Sequence, residues 1–323
     1  MSTEPLPTFD QLPPVIGAPK GCAWGLFDKD GVKDQIGTLN LLTPDVVLAA
    51  SREIITGESV ALNWALENPP SPYYREKFQH TIKDVGKEYG MPICCYDDIV
   101  TFNTQSSSQW DGFRHWGHAE SRQHYNGVMH DDVLEGNDIS MHQWSERGGI
   151  VGRGVLVDFV SWAEINGVEI RASTSQVISL DVIKRILREE GVVIKKGDIL
   201  LLRTGLLQAY NMCFNDSERN KVMRSSDSIG AEASEAMVQW LWNNHFSAVA
   251  GDAAAFESQP FVKEYSLHDY LLVWWGMPIG EMWDLEGLAE KCKAHKRWTF
   301  FITSAPLNVK GGVASPPNAL AVF

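Results

Sequence analysis

One short stretch of the chain concentrates side chains that bind metal ions and move protons. From Thr104 to His118 the sequence reads TQSSSQWDGFRHWGH. Gln109 and Asp111 are two residues apart, so in an extended segment both side chains point to one face, which Gln105 can share. Oxygen and imidazole ligands that converge in this way suit a hard or borderline divalent ion. The stretch therefore predicts a candidate metal site.

Histidines and aromatic residues are interleaved with these polar side chains. Four of the nine histidines lie close together in the chain: His115, His118, His124 and His130. Trp110, Phe113 and Trp116 would supply the apolar walls that small-molecule pockets need. A surface loop with histidines and half-buried tryptophans has the same composition, and the spacing alone leaves both interpretations open.

A second cluster runs from Ser266 to Ala289 and reads SLHDYLLVWWGMPIGEMWDLEGLA. His268 begins an apolar run, and Glu281 follows a turn that contains glycine and proline. A carboxylate among tryptophans is costly unless it is paired or bound to a metal ion. The alternative is that His268 caps a helix and that Glu281 is solvated.

Together these motifs resemble the cyclase family of metal-dependent hydrolases, which includes kynurenine formamidase and isatin hydrolase. The family's first motif, HxGTHxDxPxH, aligns with Gln105–His115, and its late HxxLL…E motif aligns with His268 and Glu281. Further matches follow the family's order along the chain: a strand that ends in aspartate at Gly154–Asp158, GDxxLLRTG at Gly197–Gly205, a VGxD-type strand end at Val249–Asp252, and PLxxxGGxxSP at Pro306–Pro316.

The resemblance implies roles for individual residues. Asp111, His268 and Glu281 would be metal ligands, and His115 would be the acid/base residue. Gln105 and Gln109 stand where the family has two metal-binding histidines, and we include both in the predicted metal set. An amide oxygen is a weaker ligand for zinc than imidazole and suits manganese better, so the cofactor is predicted to be manganese or zinc. The predicted substrate-binding residues are Trp110, Phe113, Trp116 and Trp275.

These roles predict hydrolysis of a small aromatic or cyclic amide, lactam or ester. A bound metal ion would make hydroxide available near neutral pH, and His115 would transfer protons. Two alternatives stay open. One is a cyclase, dehydratase or isomerase with the same fold. The other is a small-molecule-binding protein that has lost its metal because glutamine replaced histidine.

Composition excludes several other classes of protein. Lysine and arginine number 28 against 41 aspartates and glutamates, a formal net charge of -13, which disfavours nucleic acid and anionic membranes as partners. None of the five cysteines forms a CxxC pair, which argues against a zinc ribbon, and the length of 323 residues argues against a disulfide scaffold. The N-terminus does not resemble a signal peptide, and no run of about 18 apolar residues occurs, so we expect a cytoplasmic protein.

Strands and helices alternate in the pattern, which predicts an α/β protein. Residues 1–20 are rich in proline and predict an extended arm, followed by one domain over 21–323. Buried strands are predicted at 150–160 and 199–205, and helices at 179–190 and 267–275, whereas 67–92 is predicted as a long loop. The family resemblance implies a compact α/β/β (swivelling β/β/α) domain with a mixed sheet, assembled as a homodimer or homotetramer.

Overall fold

The computed structural model describes residues 6–72, 74–223 and 225–323. Within these residues a nine-stranded mixed sheet organises the molecule, in the order β1-β13-β11-β5-β7-β9-β10-β4-β12. The neighbouring strands β5, β7, β9 and β10 run parallel, and the other pairs are antiparallel. The strands of this sheet are β1 Ser59–Ala61, β4 Gln109–Asp111, β5 Ile150–Asp158, β7 Ile199–Arg203, β9 Ala248–Gly251, β10 Ile279–Glu281, β11 Thr299–Ser304, β12 Ala314–Ser315 and β13 Ala319–Val322.

The central parallel strands form from nearly continuous apolar runs, because both of their faces are covered. β7 and β9 are buried along their whole length, and β5 along almost all of it. The predictions of strands at 150–160 and 199–205 are therefore confirmed. Two small ribbons lie outside the main sheet: β2 Gln79–Asp84 pairs with β3 Tyr96–Thr101, and β6 Val177–Ile178 pairs with β8 Gly230–Ala231.

Helices surround the sheet, and several begin at capping side chains that can be recognised in the sequence. Thr43 accepts a hydrogen bond from the backbone N–H of Val46, and Ser179 accepts one from Val182, which confirms the predicted helix over 179–190 in all but its ends. The helices are α1 Pro44–Ala50, α2 Val85–Tyr89, α3 Met141–Glu146, α4 Phe159–Asn166, α5 Leu180–Glu189, α6 Leu206–Asn211, α7 Asp216–Met223, α8 Glu235–Asn243 and α9 Glu286–His295.

Two predicted segments differ from the structure. The segment 67–92, predicted as a loop, contains β2 and α2. Its prolines lie outside both elements, Asp84 caps the start of α2, and Gly90 ends it in a left-handed conformation. The helix predicted over 267–275 is a π-helix over Asp269–Trp275, a rare form that often lies at functional sites. It ends at Gly276 with φ 62°, where a Cβ would lie 2.7 Å from the ring of Tyr125.

The described part of the predicted arm packs against the same chain. The ring of Phe9 is buried and lies at 6.5 Å, between ring centroids, from Trp275. The Phe9 backbone N–H donates to Asn243, and the indole of Trp242 donates to the carbonyl of Pro7. Residues 1–5 of the predicted arm lie outside the described residues. No helix in the described part of the chain is long and apolar enough to cross a membrane.

Candidate metal site

The strand pair β4 and β10 places three of the predicted metal-site residues on one face of the sheet. Gln109 and Asp111 are the two ends of β4, so the alternation of side chains turns both to the same side. β10 runs antiparallel to β4 with Glu281 directly opposite Gln109. Because all three side chains are buried, the register of this pair fixes their relative positions.

His268 reaches the same place from the start of the π-helix and is held there by Glu257. One carboxylate oxygen of Glu257 accepts from the His268 backbone N–H at 3.0 Å, and the other lies 2.8 Å from Nδ1. Since an ionised carboxylate only accepts, Nδ1 carries a proton, and Nε2 presents its lone pair once the ring has lost its second proton, as binding of a cation would require. This is the arrangement found behind metal-binding histidines. Glu257 belongs to none of the sequence motifs and was therefore not predicted.

Asp111, His268 and Glu281 converge on one point. Their potential ligand atoms all lie within 4.8 Å of one another. Nε2 of His268 is 3.2 Å from Oε1 of Glu281 and 3.9 Å from Oδ2 of Asp111. Both of these oxygens are buried and lack a hydrogen-bond partner. Unpartnered buried carboxylate oxygens are costly, so their convergence on a free imidazole nitrogen fits a bound cation.

Charge in this cluster also fits a cation. The three buried carboxylates of Asp111, Glu257 and Glu281 surround one imidazole. Burial, together with the charge of Asp111, raises the pKa of Glu281 to about 7. Burial alone would lower the pKa of His268, but Glu257 and Glu281 outweigh it and raise that pKa well above its usual value. A divalent cation would neutralise the negative charge that contributes to both shifts.

The two predicted amide ligands take part in the cluster through hydrogen bonds to its carboxylates. Nε2 of Gln105 donates to Oδ1 of Asp111, and Nε2 of Gln109 donates to Oε2 of Glu281 at 2.8 Å. Oε1 of Gln109 is buried and lacks a hydrogen-bond partner, which leaves it available as a ligand, whereas Oε1 of Gln105 accepts from Gln109 at 2.7 Å.

His115 lies at the edge of the cluster. Its Nε2 is 3.8 Å from Oδ2 of Asp111, and 23% of its side chain is exposed. An imidazole that lies beside a buried carboxylate and is also partly exposed can carry protons between the site and solvent. The structure therefore brings the predicted acid/base residue next to the predicted ligands.

Three of the four predicted substrate-binding aromatics belong to the core rather than to an open pocket. Trp110, Phe113 and Trp275 are each 0% exposed. Trp110 is the middle residue of β4, so its ring points away from the polar face and packs on Trp283, with 4.7 Å between ring centroids. Phe113 packs on Trp144 in the same way. These rings support the site from within the core and offer a substrate no exposed surface.

Trp116 is the predicted aromatic that lies beside the site with part of its ring exposed. Its ring centroid is 5.0 Å from that of His268, and its indole N–H donates to Asp269 at 2.7 Å. Phe261, which the sequence did not single out, also lies 5.0 Å from the ring of His268. Trp116 and Phe261 both line a cavity of about 490 Å³.

The other histidines of the stretch do not reach the cluster. His118 lies 3.0 Å from the hydroxyl of Ser121. His124 and His130 stack and are 3.1 Å apart at Nε2 and Nδ1, while Nδ1 of His124 donates to the carbonyl of Phe113. These contacts fix the loop that follows β4, so the density of histidines in the sequence marks a folded loop as well as a site.

Known proteins resemble this chain in both sequence and fold. The profile of a family described as "Putative cyclase" matches residues 39–258. A crystal structure described as a novel cyclase superimposes with a TM-score of 0.80 and 29% identity, over 94% of this chain and 99% of that one. This likeness confirms the predicted α/β fold with a mixed sheet. No curated protein sequence matches significantly.

Two isatin hydrolase structures share the fold at lower identity. Isatin hydrolase A from Labrenzia aggregata, bound to benzyl benzoate, has a TM-score of 0.57 and 19% identity, over 88% of this chain and 98% of its own. An isatin hydrolase bound to the product analogue thioisatinate also has a TM-score of 0.57, with 14% identity, over 87% of this chain and 99% of its own. At these identities the likeness is one of fold.

Proposed function

The chain belongs to the cyclase family, and on that premise we propose that it is a metal-dependent hydrolase of a small aromatic or cyclic amide, lactam or ester. The observation that carries the proposal is the convergence of two buried, unpartnered carboxylate oxygens, on Asp111 and Glu281, upon Nε2 of His268. A site built only for stability would pair these atoms with hydrogen-bond donors.

The proposed metal ligands are Asp111, His268 and Glu281, with the amide oxygen of Gln109 available beside them. A divalent ion bound there would polarise a substrate carbonyl and lower the pKa of a water molecule. Glu257 would keep the proton on Nδ1 of His268, so that Nε2 stays free to bind.

His115 is the proposed acid/base residue. Its ring is partly exposed and lies next to Asp111, so it can accept a proton from the attacking water and deliver one to the leaving group.

Trp116 and Phe261 form the proposed substrate side of the site. Their rings touch His268 and also line the neighbouring cavity of about 490 Å³. A flat aromatic substrate would stack on these rings and present its carbonyl toward the metal ligands. This contact favours aromatic or cyclic substrates over extended aliphatic ones.

Turnover of small amides, lactams and esters tests the proposal. Protein stripped with a chelator is compared with protein restored with Mn²⁺ or Zn²⁺, and His115→Ala is compared with the unchanged chain. We expect hydrolysis that requires the metal, and a His115→Ala variant that retains the metal but loses at least about 100-fold in rate. Metal binding without turnover, or turnover that survives both stripping and His115→Ala, would refute the assignment.

A further inference from the structure

Gln105 and Gln109 form a relay of amide hydrogen bonds that connects the two carboxylates of the site. Gln105 donates to Oδ1 of Asp111, which we call the outer oxygen because Oδ2 is the one nearer His268. The side-chain carbonyl of Gln105 accepts from Gln109 at 2.7 Å. Gln109 then donates to the outer oxygen Oε2 of Glu281 at 2.8 Å and lies 3.3 Å from Oδ1 of Asp111. Both glutamines are more than nine-tenths buried, so this relay is a built part of the core.

The carboxylates fix which end of each amide faces them. If the amide of Gln109 were reversed, its oxygen would face two other oxygens, those of Gln105 and Glu281, and both contacts would be repulsive. If the amide of Gln105 were reversed, its oxygen would face Asp111. The relay therefore has one direction, and this direction leaves Oε1 of Gln109 buried without a partner.

The relay has two effects on the inner face of the site. It satisfies Oδ1 of Asp111 and Oε2 of Glu281 without adding charge, and it leaves Oδ2 of Asp111 and Oε1 of Glu281 without a donor. It also offers the oxygen of Gln109 as a neutral ligand. The available donors are then three oxygens and the single nitrogen of His268.

From this donor set we infer that Gln105 and Gln109 determine which metal the site accepts, shifting its preference from Zn²⁺ toward Mn²⁺. The inference rests on the proposed function, because it needs a metal at this site. Oxygen ligands suit Mn²⁺, whereas imidazole binds Zn²⁺ well and would raise the affinity for Zn²⁺ at either position.

Calorimetric titration of chelator-treated protein with Mn²⁺ and with Zn²⁺ tests the inference, with the ratio of the two Kd values as the readout. The unchanged chain is compared with the double variant Gln105→His, Gln109→His. The matched control is Gln176→His, which replaces a half-buried amide that bonds only local backbone groups. We expect the double variant to shift the ratio toward Zn²⁺ by about tenfold or more and the control to leave it unchanged.

A circular dichroism spectrum checks that the double variant folds. If it does not fold, Gln109→Asn replaces it, because the shorter side chain withdraws the free oxygen while keeping an amide. In that variant we expect affinity for Mn²⁺ to fall about tenfold and affinity for Zn²⁺ to fall less.

The outcomes separate this inference from the proposed function. If the double variant binds both metals with the same ratio of Kd values as the unchanged chain, the role of the glutamines is overturned and the metal site still stands. Failure of the unchanged chain to bind either metal would overturn the proposed function, and the inference with it.

Discussion

Two of the buried clusters of charged side chains differ in how their charges are balanced. In the first, the guanidinium of Arg203 donates to Asp158 at 2.9 Å and to both carboxylate oxygens of Glu286 at 2.8 and 2.7 Å. In the second, Asp111 and Glu281 each keep one buried oxygen without a donor. The first cluster pairs its carboxylates with a guanidinium, whereas the second has one imidazole among three carboxylates, and this difference distinguishes a structural network from a site that binds a cation.

The same substitution in the two clusters provides the sharpest contrast. We expect Asp158→Asn to lower the free energy of unfolding by about 3 kcal/mol or more, because it leaves Arg203 buried with part of its charge unpaired. Asp158 also accepts from the backbone N–H of Ser161 and so begins α4. Urea unfolding of the metal-free protein at pH 8 measures the change.

Asp111→Asn is the matched variant and should behave in the opposite way in the same assay. It removes a charge that raises the pKa of Glu281, so the free energy of unfolding should stay the same or rise by about 1 kcal/mol, which corresponds to about one pKa unit. Equal losses in the two variants would mean that both clusters are structural.

Glu257→Gln tests whether metal binding by the second cluster depends on the carboxylate that holds His268. Without a carboxylate behind Nδ1, His268 is less firmly oriented and is a weaker ligand, so we expect affinity for Mn²⁺ to fall about 10- to 100-fold in a folded protein. Glu264→Gln, on the exposed turn before His268, is the control and should leave the affinity unchanged. Unchanged affinity in Glu257→Gln would show that His268 does not bind the metal through Nε2.

His124 extends the comparison to a histidine kept neutral for structural reasons. Burial lowers its pKa, so the folded state binds fewer protons than the unfolded chain below the unfolded pKa of about 6.5. The stability that this group contributes is present above that pH and is lost as the pH falls. We expect a loss of about 1 kcal/mol or less between pH 7 and pH 5.5.

The difference in free energy of unfolding between the unchanged chain and His124→Asn isolates His124 together with its contact to His130, because titrating residues elsewhere cancel. The difference should shrink as the pH falls. A constant difference would mean that His124 has the same pKa in the folded and unfolded states.

The sequence predicted the parts of the fold that depend on local patterns. Continuous apolar runs identified β5 and β7, and the cap at Ser179 identified α5. The strand β2 was missed because its side chains are largely exposed, so it carries no pattern of buried residues. The helical run that ends at Trp275 was predicted, but spacing does not distinguish a π-helix from an α-helix over so few residues.

The residues of the site were predictable from the sequence, but the hydrogen bonds between them were not. Spacing put Gln109 and Asp111 on one face, and the family motif added His268 and Glu281; all four converge. The same alternation should have excluded Trp110 from the pocket, since it lies between two residues that face the site. The position of Glu257 behind His268 depends on contacts between separate segments, which no local spacing encodes.

Calorimetric titration of Mn²⁺ into chelator-treated protein tests the central claim that Asp111, His268 and Glu281 form a metal site. The unchanged chain should bind one ion per chain, and Asp111→Asn, which retains its fold, should bind at least about 100-fold more weakly, because it loses an ionised ligand. No heat of binding in the unchanged chain, or equal affinity in Asp111→Asn, would contradict the claim.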